Sequence, residues 1–178
     1  MRVVSVASRN EHGLGKTVQA EIELIAGLGV ANDAHCGATV KHRSRVAKDP
    51  TQPNLRQVHV LHAELLGELA VKGFTVLPGE LGENILTSEV ELLKLPAGTL
   101  LNIGPDAVIE ITGLRNPCSQ INGHTAGLMN AVIEMADDHS IVRKAGIMGV
   151  VLSTGKVCAG DSISIILPNR PHIDLKPV

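Results

Sequence analysis

The residues with the clearest chemical potential form the stretch Arg115-Asn116-Pro117-Cys118, which follows a strand-like apolar run. Pro117 fixes its own φ and biases Asn116 toward an extended conformation, so the thiol of Cys118 is predicted to lie on a stiff loop just past a strand. Arg115 favours the thiolate, the form that attacks sulfur and binds soft metals. The pattern indicates either a site for sulfur or metal chemistry or a buried, inert cysteine.

A second group of polar residues lies in the long segment over residues 37–54. A loop of this length inside a compact domain is usually either functional or disordered. Basic side chains at this density can hold a phosphate or another oxyanion. Two interpretations are therefore open, an anion-binding loop and a solvated, mobile flap. The basic residues are Lys41, His42, Arg43, Arg45 and Lys48.

The stretch Gly13-Leu14-Gly15-Lys16-Thr17 resembles the end of a phosphate-binding P-loop. Asn10 stands where that motif requires its first glycine. A P-loop also opens a helix, whereas the alternation of apolar and polar residues over 18–24 predicts a half-buried strand. The sequence therefore argues against a nucleoside triphosphatase.

Cysteine and histidine residues offer zinc ligands, but their spacing does not favour a structural zinc site. Such sites show tight pairs, for example C-x2-C. His59 and His62 are close in sequence but would face opposite sides of a strand. The zinc candidates are Cys36, His42, His59 and His62, with His35 and His124 in reserve.

The composition indicates a soluble globular protein with an aliphatic core. The chain has 178 residues, 44% of them hydrophobic, and Phe74 is its one residue of the Phe, Trp and Tyr types. Without aromatic platforms for base stacking, and with a net charge of -2, neither a nucleic acid nor a membrane is expected as a partner. Three widely spaced cysteines, no signal peptide and no membrane-spanning apolar run predict a cytoplasmic location.

The elements that position these residues are predicted to be mainly β. Many short alternating segments separated by Gly and Pro turns favour a β-barrel with a few flanking helices (α+β). We expect a single domain over residues 1–178, with a core of about 17–167 and an extended C-terminal arm over 168–178. Strands are predicted over 3–7, 18–24, 56–61, 92–95, 99–103, 108–112, 147–152, 156–157 and 162–167, the 147–152 and 156–157 pair as a hairpin. Helices are predicted over 62–71, 128–135 and 140–144.

Several short motifs occur in one order along residues 17–167. They are Asn32-Asp33-Ala34-His35, Arg56-Gln57-Val58, Glu83-Asn84-Ile85, Arg115-Asn116-Pro117-Cys118, the segment 146–150 and Gly160-Asp161-Ser162-Ile163. Together they resemble the MOSC domain, which occurs at the C-terminus of molybdenum cofactor sulfurases and as stand-alone bacterial proteins. No single motif is specific; the ordered set carries the resemblance.

The resemblance implies a fold like the pyruvate-kinase β-barrel, with Cys118 in a cleft as the functional group. In the family this cysteine is thought to carry sulfur as a persulfide or to ligate the molybdenum of a pterin cofactor (molybdopterin). A soft thiolate suits both roles. For the phosphate of the cofactor, the implied binding residues are Arg115, Arg56 and the 41–45 loop with Lys41 and Arg43. For the pterin, they are Asn84 and His35. Asn116, in the Pro-Cys motif, is a further implied cofactor-binding residue.

The chain departs from the family pattern in three respects. Asn32 stands where the family usually has glycine, but asparagine also tolerates a positive φ. The basic loop over 41–53 is longer than expected. The cysteine desulfurase domain of the full sulfurases is absent, so if this chain handles sulfur, a separate desulfurase carrying its own pyridoxal phosphate, or another donor, has to supply it.

Three functions are open at this point, and with them whether the protein is an enzyme. The first is a molybdenum-cofactor-binding protein or sulfurtransferase-like carrier for metal–sulfur cofactor assembly, acting through Cys118. The second is a molybdenum-cofactor reductase of N-hydroxylated compounds, which needs an electron-transfer partner because the chain has no flavin or iron–sulfur cysteine pattern. The third is a non-catalytic binding barrel with a buried Cys118. Thiol reactivity separates the third from the others.

Overall fold

The strands of this protein are formed by alternating apolar and polar residues. The computed structural model describes residues 1–137 and 139–178, without the side chains of Arg43 and Ser44. In the strand Ala107–Leu114 every second residue, beginning with Ala107, is buried. Because side chains alternate across a strand, this pattern places one face of the strand on the core. The expectation of a mainly β protein with a few helices is confirmed.

The described residues form thirteen strands, three short α-helices and two 3-10 helices. The strands are β1 (Arg2–Ser8), β2 (Thr17–Gln19), β3 (Glu21–Ile25), β4 (Gly29–Val30), β5 (Val58–His62), β6 (Ile85–Ser88), β7 (Leu100–Ile103), β8 (Ala107–Leu114), β9 (Ile133–Met135), β10 (Ile141–Arg143), β11 (Ile147–Ser153), β12 (Gly155–Cys158) and β13 (Ile163–Ile166). The helices are α1 (Arg43–Val46), α2 (Glu64–Val71) and α3 (Leu128–Ala131), with 3-10 helices at Leu92–Lys94 and Ser119–Gly123. Within the described ranges, no helix is both long enough and apolar enough to cross a membrane.

Eight strands form the main sheet, in the order β13-β7-β8-β11-β5-β6-β1-β2. Neighbouring strands are antiparallel except β5 and β6, which run parallel because α2 crosses over between them. In the part of the chain that is described, strand ladders do not close this sheet into a barrel. An isolated bridge between Arg2 and Ser162 nevertheless brings β1 beside the start of β13. Strands β12, β3 and β4 form a second sheet, and β10 and β9 a third.

Two clusters of aliphatic side chains hold the sheets together. The larger lies between the main sheet and the β12-β3-β4 sheet, and includes Leu24 and Ile109. The smaller lies under α2, where Leu65 and Leu69 pack with Leu128. Both are built from Val, Ile, Leu and Ala, as the composition predicts, with Phe74 packed at the edge of the smaller one.

Local sequence pattern misassigned three segments. The predicted strand over 92–95 is a 3-10 helix at Leu92–Lys94. The predicted helix over 140–144 is the strand β10, and the predicted helix over 128–135 ends at Ala131, where β9 soon follows. Short apolar runs fit a helix or a strand equally well by periodicity, so the pairing of β9 with β10 decides this region.

The predicted hairpin over 147–157 is also wrong, although both of its strands exist. β11 pairs with β5 and β8, whereas β12 pairs with β3 in the second sheet. At Gly155 the backbone passes so close to Ala107 that a Cβ would collide with it. The chain therefore changes sheets at this glycine instead of folding back on β11.

The C-terminal residues lie along the end of β8, next to the loop that carries Cys118. The backbone N–H of Leu114 donates to the Lys176 carbonyl at 2.9 Å, and that of Val178 donates to the Leu114 carbonyl at 3.2 Å. Gly113 permits this approach, since a side chain there would collide with the Lys176 carbonyl. The arm thus braces the end of β8, directly before the loop that carries Cys118.

Candidate functional site: a cationic cleft around Cys118

Cys118 lies in a cleft of about 330 Å³, where β1 and β8 end and where β5 and β6 begin. Ligand pockets in proteins commonly measure about 300–1,000 Å³, so the cleft can hold a small molecule. The cysteine is partly exposed. The burial of Cys118 expected for a non-catalytic binding barrel is therefore not found, and thiol reactivity is the measurement that separates that function from the others.

The loop that presents the thiol is fixed at several points. The backbone N–H of Arg115 donates to the Gly146 carbonyl at 3.0 Å directly after β8 ends, and Pro117 is buried. Cys118 has an extended backbone and precedes the 3-10 helix at Ser119–Gly123. Its Sγ lies 3.7 Å from Oε1 of Gln120, as donor to that oxygen. The thiol thus lies on a loop that is fixed by hydrogen bonds and packing just past the end of β8, as the sequence predicts.

Most of the candidate residues come together in this cleft. Those that line it are Cys118, Arg115, Asn116, Arg56, Asn84 and His35. Lys41 lies instead in an adjoining cavity of about 190 Å³, which shares His42, Arg45 and Arg56 with the cleft. The side chain of Arg43 falls outside the described part of the structure.

Guanidinium groups dominate the charge of the cleft, which is lined by Arg9, Arg45, Arg56 and Arg115. Burial lowers the pKa of Arg56; the positive charges of Arg45 and Arg115 lower it further, and Cys118 partly offsets them. Like charges disfavour each other's ionised forms only at short range, so the three guanidiniums and the thiol share one electrostatic environment.

Arg115 is incompletely partnered. Its Nη1 atom is shielded from solvent and has no hydrogen-bond partner among the described residues. Burial lowers the pKa of this guanidinium, and the negative charges of Cys118 and Glu83 partly offset the burial. A buried donor without an acceptor costs about 1–3 kcal/mol, and more when it is charged. An anion that reached this atom would supply the missing acceptor.

Below the cleft, the buried carboxylate of Asp33 is surrounded by donors. Its Oδ2 accepts from Lys16 Nζ at 2.8 Å and from Asn84 Nδ2 at 3.1 Å. Its Oδ1 accepts from the backbone N–H of His35 at 3.0 Å and lies 3.2 Å from His35 Nδ1. Burial alone would raise the pKa of Asp33, but the hydrogen bonds from His35 and the Lys16 ammonium hold it well below its usual range. The side chain of Lys16 is only 7% exposed, and burial lowers its pKa.

Asn84 joins this carboxylate to two strands. Its backbone N–H donates to the His59 carbonyl and its carbonyl accepts from the Ala7 N–H, both at 2.8 Å. Its side chain repeats the pattern: Oδ1 accepts from the His59 N–H at 3.1 Å and Nδ2 donates to the Ala7 carbonyl at 3.1 Å. With Asp33 as the second acceptor, both amide hydrogens are used within the protein. This arrangement favours a structural role for Asn84, although it lines the cleft.

Two histidines at the cleft have different surroundings. His59 is buried, and burial together with the Arg115 charge lowers its pKa to about 3. Its Nε2 lies 2.7 Å from the Ala145 carbonyl, so the neutral ring donates from that nitrogen. His35 is partly exposed and packs edge-on against His12, with ring centroids 5.0 Å apart. Since its Nδ1 faces Asp33, its Nε2 is the nitrogen available to a ligand.

The sequence around Lys16 resembles a P-loop and gives no sign of the residue's structural role. Its backbone N–H donates to the Gly79 carbonyl at 2.8 Å. Gly79 has a φ of 88°, and a Cβ there would collide with the Lys16 carbonyl. The Lys16 side chain therefore enters the interior from a loop clamped against a glycine turn. Its pairing with Asp33 is not visible in either local motif.

Asn32, the substitution for the family glycine, adopts a φ of 58°. The left-handed turn before Asp33 therefore survives, as expected for asparagine. In the described residues, no three or more His, Cys, Asp or Glu side chains are arranged to hold a metal ion. The zinc candidates are thus not gathered into one site.

Comparison with known proteins gives one family. A family model described as "MOSC domain" matches residues 47–164, within the predicted core. A curated protein named "Reductase", from Gibberella moniliformis, is 28% identical over 96 residues, or 53% of this chain. The match spans only 16% of the length of that relative.

Solved structures share the fold. The YuaD protein of Bacillus subtilis superposes with a TM-score of 0.75 at 23% identity, over 92% of this chain and 94% of that one. YiiM of Escherichia coli gives 0.63 at 19% identity, over 97% and 73% of the two chains. YiiM of Geobacillus stearothermophilus gives 0.65 at 15% identity, over 97% and 77%. At these identities the likeness shows the fold alone.

Proposed function

The chain belongs to the MOSC domain family, and we propose that it carries sulfur as a persulfide on Cys118 for metal–sulfur cofactor assembly, in a cleft that binds the molybdenum cofactor. The observation that carries the proposal is the position of a partly exposed thiol in a cleft lined by four arginines. In this proposal the protein works in the cytoplasm. A cysteine desulfurase with its own pyridoxal phosphate, or another donor, supplies the sulfur.

The residues of the cleft fit an anionic cofactor. A pterin that carries a phosphate group needs cations, and Arg45, Arg56 and Arg115 would hold that phosphate through charge-assisted hydrogen bonds. The unpartnered Nη1 of Arg115 supports this fit. Nε2 of His35 would hydrogen-bond the pterin, and the Cys118 thiolate is a suitable soft ligand for molybdenum. When bound, the cofactor supplies a metal centre that takes sulfur ligands and exchanges electrons.

For sulfur carriage, the protein has to stabilise a negative charge on sulfur. The persulfide, like the thiolate, is an anion, and Arg56 and Arg115 interact electrostatically with Cys118. Because the thiol is only partly exposed, the walls of the cleft limit access of other thiols that would reduce a persulfide. In this proposal the loop after β8 presents a reactive thiolate and also shields the persulfide from reducing thiols.

A second candidate function is a molybdenum-cofactor reductase of N-hydroxylated compounds. The observation that favours it is the 28% identity, over 96 residues, to a curated protein named "Reductase". Since the sequence has no CxxC pair and no iron–sulfur cysteine pattern, the electrons would come from a separate electron-transfer partner.

The test compares wild type with Cys118→Ser, and with Cys158→Ser as the matched control. Cys158 is exposed at the end of β12 and does not line the cleft. Molybdenum, pterin and protein-bound persulfide are measured in protein from molybdate-replete cells. We expect molybdenum and persulfide to be lost from Cys118→Ser and kept in Cys158→Ser. Equal contents in all three proteins would remove Cys118 from both roles, and cofactor with reductase turnover would favour the second candidate.

A further inference from the structure

We infer that the cleft takes an oxyanionic sulfur donor directly, with inorganic thiosulfate as the simplest member of the class, and that Cys118 removes its outer sulfur atom. This inference rests on the proposed function, because it names the sulfur donor for the same thiol. It adds an activity, that of a thiosulfate sulfurtransferase.

The first observation is the charge balance of the cleft. Four arginines line it, whereas its acidic lining residues are Glu11 and Glu80. The Glu80 carboxylate also caps a turn, where it accepts from the Leu77 N–H at 2.8 Å. The Lys16 charge is balanced by Asp33 and adds nothing to the excess. With the attacking Cys118 thiolate included, the charges of the lining residues still leave a positive excess, which favours an anionic sulfur donor over a neutral or cationic one.

The second observation is that polar atoms in the wall of the cleft have no hydrogen-bond partner among the described residues. Arg115 Nη1 is shielded from solvent without an acceptor, and His124 Nε2, in the same cleft, is likewise shielded and unpartnered. Guanidinium groups bind the oxygens of planar or tetrahedral oxyanions through paired hydrogen bonds. An oxyanion beside Cys118 would therefore satisfy an atom that the protein itself leaves without an acceptor.

The third observation concerns the size of the donor. Leu14, in the loop after β1, packs so closely on Gly123 that a Cβ there would lie 2.6 Å from Leu14 Cδ1. This contact joins the loop after β1 to the 3-10 helix that follows Cys118, and both segments line the cleft. The cleft, of about 330 Å³, has room for a small anion beside the thiol.

The step balances without an oxidant. The Cys118 thiolate attacks the outer sulfur of thiosulfate, the sulfur–sulfur bond of the donor breaks, and its electron pair leaves with sulfite. A new sulfur–sulfur bond forms on Cys118, and the total negative charge is the same before and after. The arginines stabilise the sulfite dianion as it leaves. Transfer of the outer sulfur to an acceptor such as cyanide regenerates the thiolate.

The test uses the full chain, reduced and freed of small thiols, incubated with thiosulfate. Mass spectrometry follows the gain of one sulfur atom on Cys118, and added cyanide reports transfer as thiocyanate. Polysulfide is a second donor that tests persulfide carriage alone. Alkylation by iodoacetamide, an uncharged reagent, measures the general reactivity of the thiol, and the thiosulfate rate is divided by it.

The variants are Arg56→Gln and Arg115→Gln, with Arg2→Gln as control, since Arg2 is exposed on β1 and does not line the cleft. We expect the normalised thiosulfate rate to fall about tenfold or more in each cleft variant, as charge-assisted contacts are lost, and to be unchanged in the control. Arg56 is partly exposed, so its variant keeps the test valid if Arg115→Gln fails to fold.

The outcomes separate the two proposals. Loading by polysulfide without loading by thiosulfate overturns this inference and leaves sulfur carriage in place. Equal normalised rates in wild type and both cleft variants also overturn it, because the arginines would then play no part in recognition. Loading by neither donor overturns persulfide carriage itself. A thiosulfate rate that falls with added salt, while the iodoacetamide rate stays constant, supports an anion site.

Discussion

The floor and the wall of the cleft differ in how completely the protein satisfies their polar groups. The floor consists of Lys16, Asp33, Asn84 and His59. In it, the Asp33 carboxylate accepts from several donors, and Asn84 uses both of its amide hydrogens. The wall consists of Arg56, Arg115, Cys118 and His124. There, Arg115 Nη1 and His124 Nε2 are shielded from water and have no partner in the described structure.

This difference indicates separate tasks for the two regions. A buried polar network whose members are all hydrogen-bonded rigidifies the structure around it. Removing one member leaves the remaining polar groups buried without a partner. A buried polar atom without a partner calls for an explanation such as a ligand. The floor therefore supports the fold, whereas we propose that the wall recognises an anion. Substitutions in the two regions should then separate stability from binding.

The largest expected effect is on the floor. Asp33→Ala leaves the Lys16 ammonium, whose side chain is 7% exposed, buried without its counter-ion. Breaking one side of a buried pair typically costs 3–5 kcal/mol, so we expect a loss of about 4 kcal/mol in the free energy of unfolding by urea. The control is Glu21→Ala, which removes the surface ion pair with Lys156 and should change stability little. Equal losses in both variants would contradict the role of the floor.

Asn84→Leu should have the next largest effect. The substitution leaves the His59 N–H and the Ala7 carbonyl without their side-chain partners and removes a donor from Asp33. Each unsatisfied buried group costs ~1–3 kcal/mol, so we expect a loss of about 3 kcal/mol in urea unfolding. Asn102→Leu is the matched control, since its Nδ2 donates to Ser164 Oγ at the surface. A similar loss of stability in both variants would show that the bonds of Asn84 to His59 in β5 and Ala7 in β1 contribute nothing specific to stability.

The pH dependence of stability tests His59. Its pKa is about 3 when folded, against 6.5 for a free histidine, so the unfolded state binds the proton first as the pH falls. Stability is therefore fully present above pH 6.5 and is lost below it, by about 2 kcal/mol between pH 6.5 and pH 5.

The measurement is the difference in unfolding free energy between wild type and His59→Gln at each pH. Burial raises the pKa of Glu83, which acts in the opposite direction, because folding then favours its protonated form. Glu83 is present in both proteins, so its contribution cancels in the difference. A difference that does not change between pH 7 and pH 5 would mean that His59 protonates as easily in the folded protein as in the unfolded chain.

The smallest expected effect on stability is in the wall. Arg115→Met removes a partly buried guanidinium with an unpartnered Nη1, so the free energy of unfolding should stay within about 1 kcal/mol of wild type. The same variant should lose loading by thiosulfate. A large loss of stability here would erase the distinction between wall and floor.

Local sequence was a good guide to the strands and to the functional loop. The alternation over 108–112 predicts a strand, and β8 includes these residues. The Pro-Cys pair predicts a thiol on a loop just past that strand, where Cys118 lies. It failed where pairing with a distant segment decides the conformation. Residues 140–144 became a strand because β9 lies beside them, and β12 left its neighbour β11 to pair with β3.

In the cleft, too, local sequence indicates the residue types but not which residues pair with one another. The residue types at Arg56, Arg115 and Cys118 are compatible with anion and sulfur chemistry without coordinates, because arginine binds oxyanions and a nearby cation favours the thiolate. The role of Lys16 was missed, since its partner Asp33 lies on another loop. Asn84 was expected to bind a pterin, but its amide is used by Asp33 and Ala7.

By itself, the sequence determined the mainly β fold and the family, and it placed Cys118 on a loop just past a strand. These follow from local periodicity, from the order of the motifs and from the chemistry of single side chains. Only the tertiary structure decided which polar groups are paired. Hydrogen bonds and charge compensation depend on distances of about 3 Å between segments far apart in the chain, and no local pattern encodes those distances.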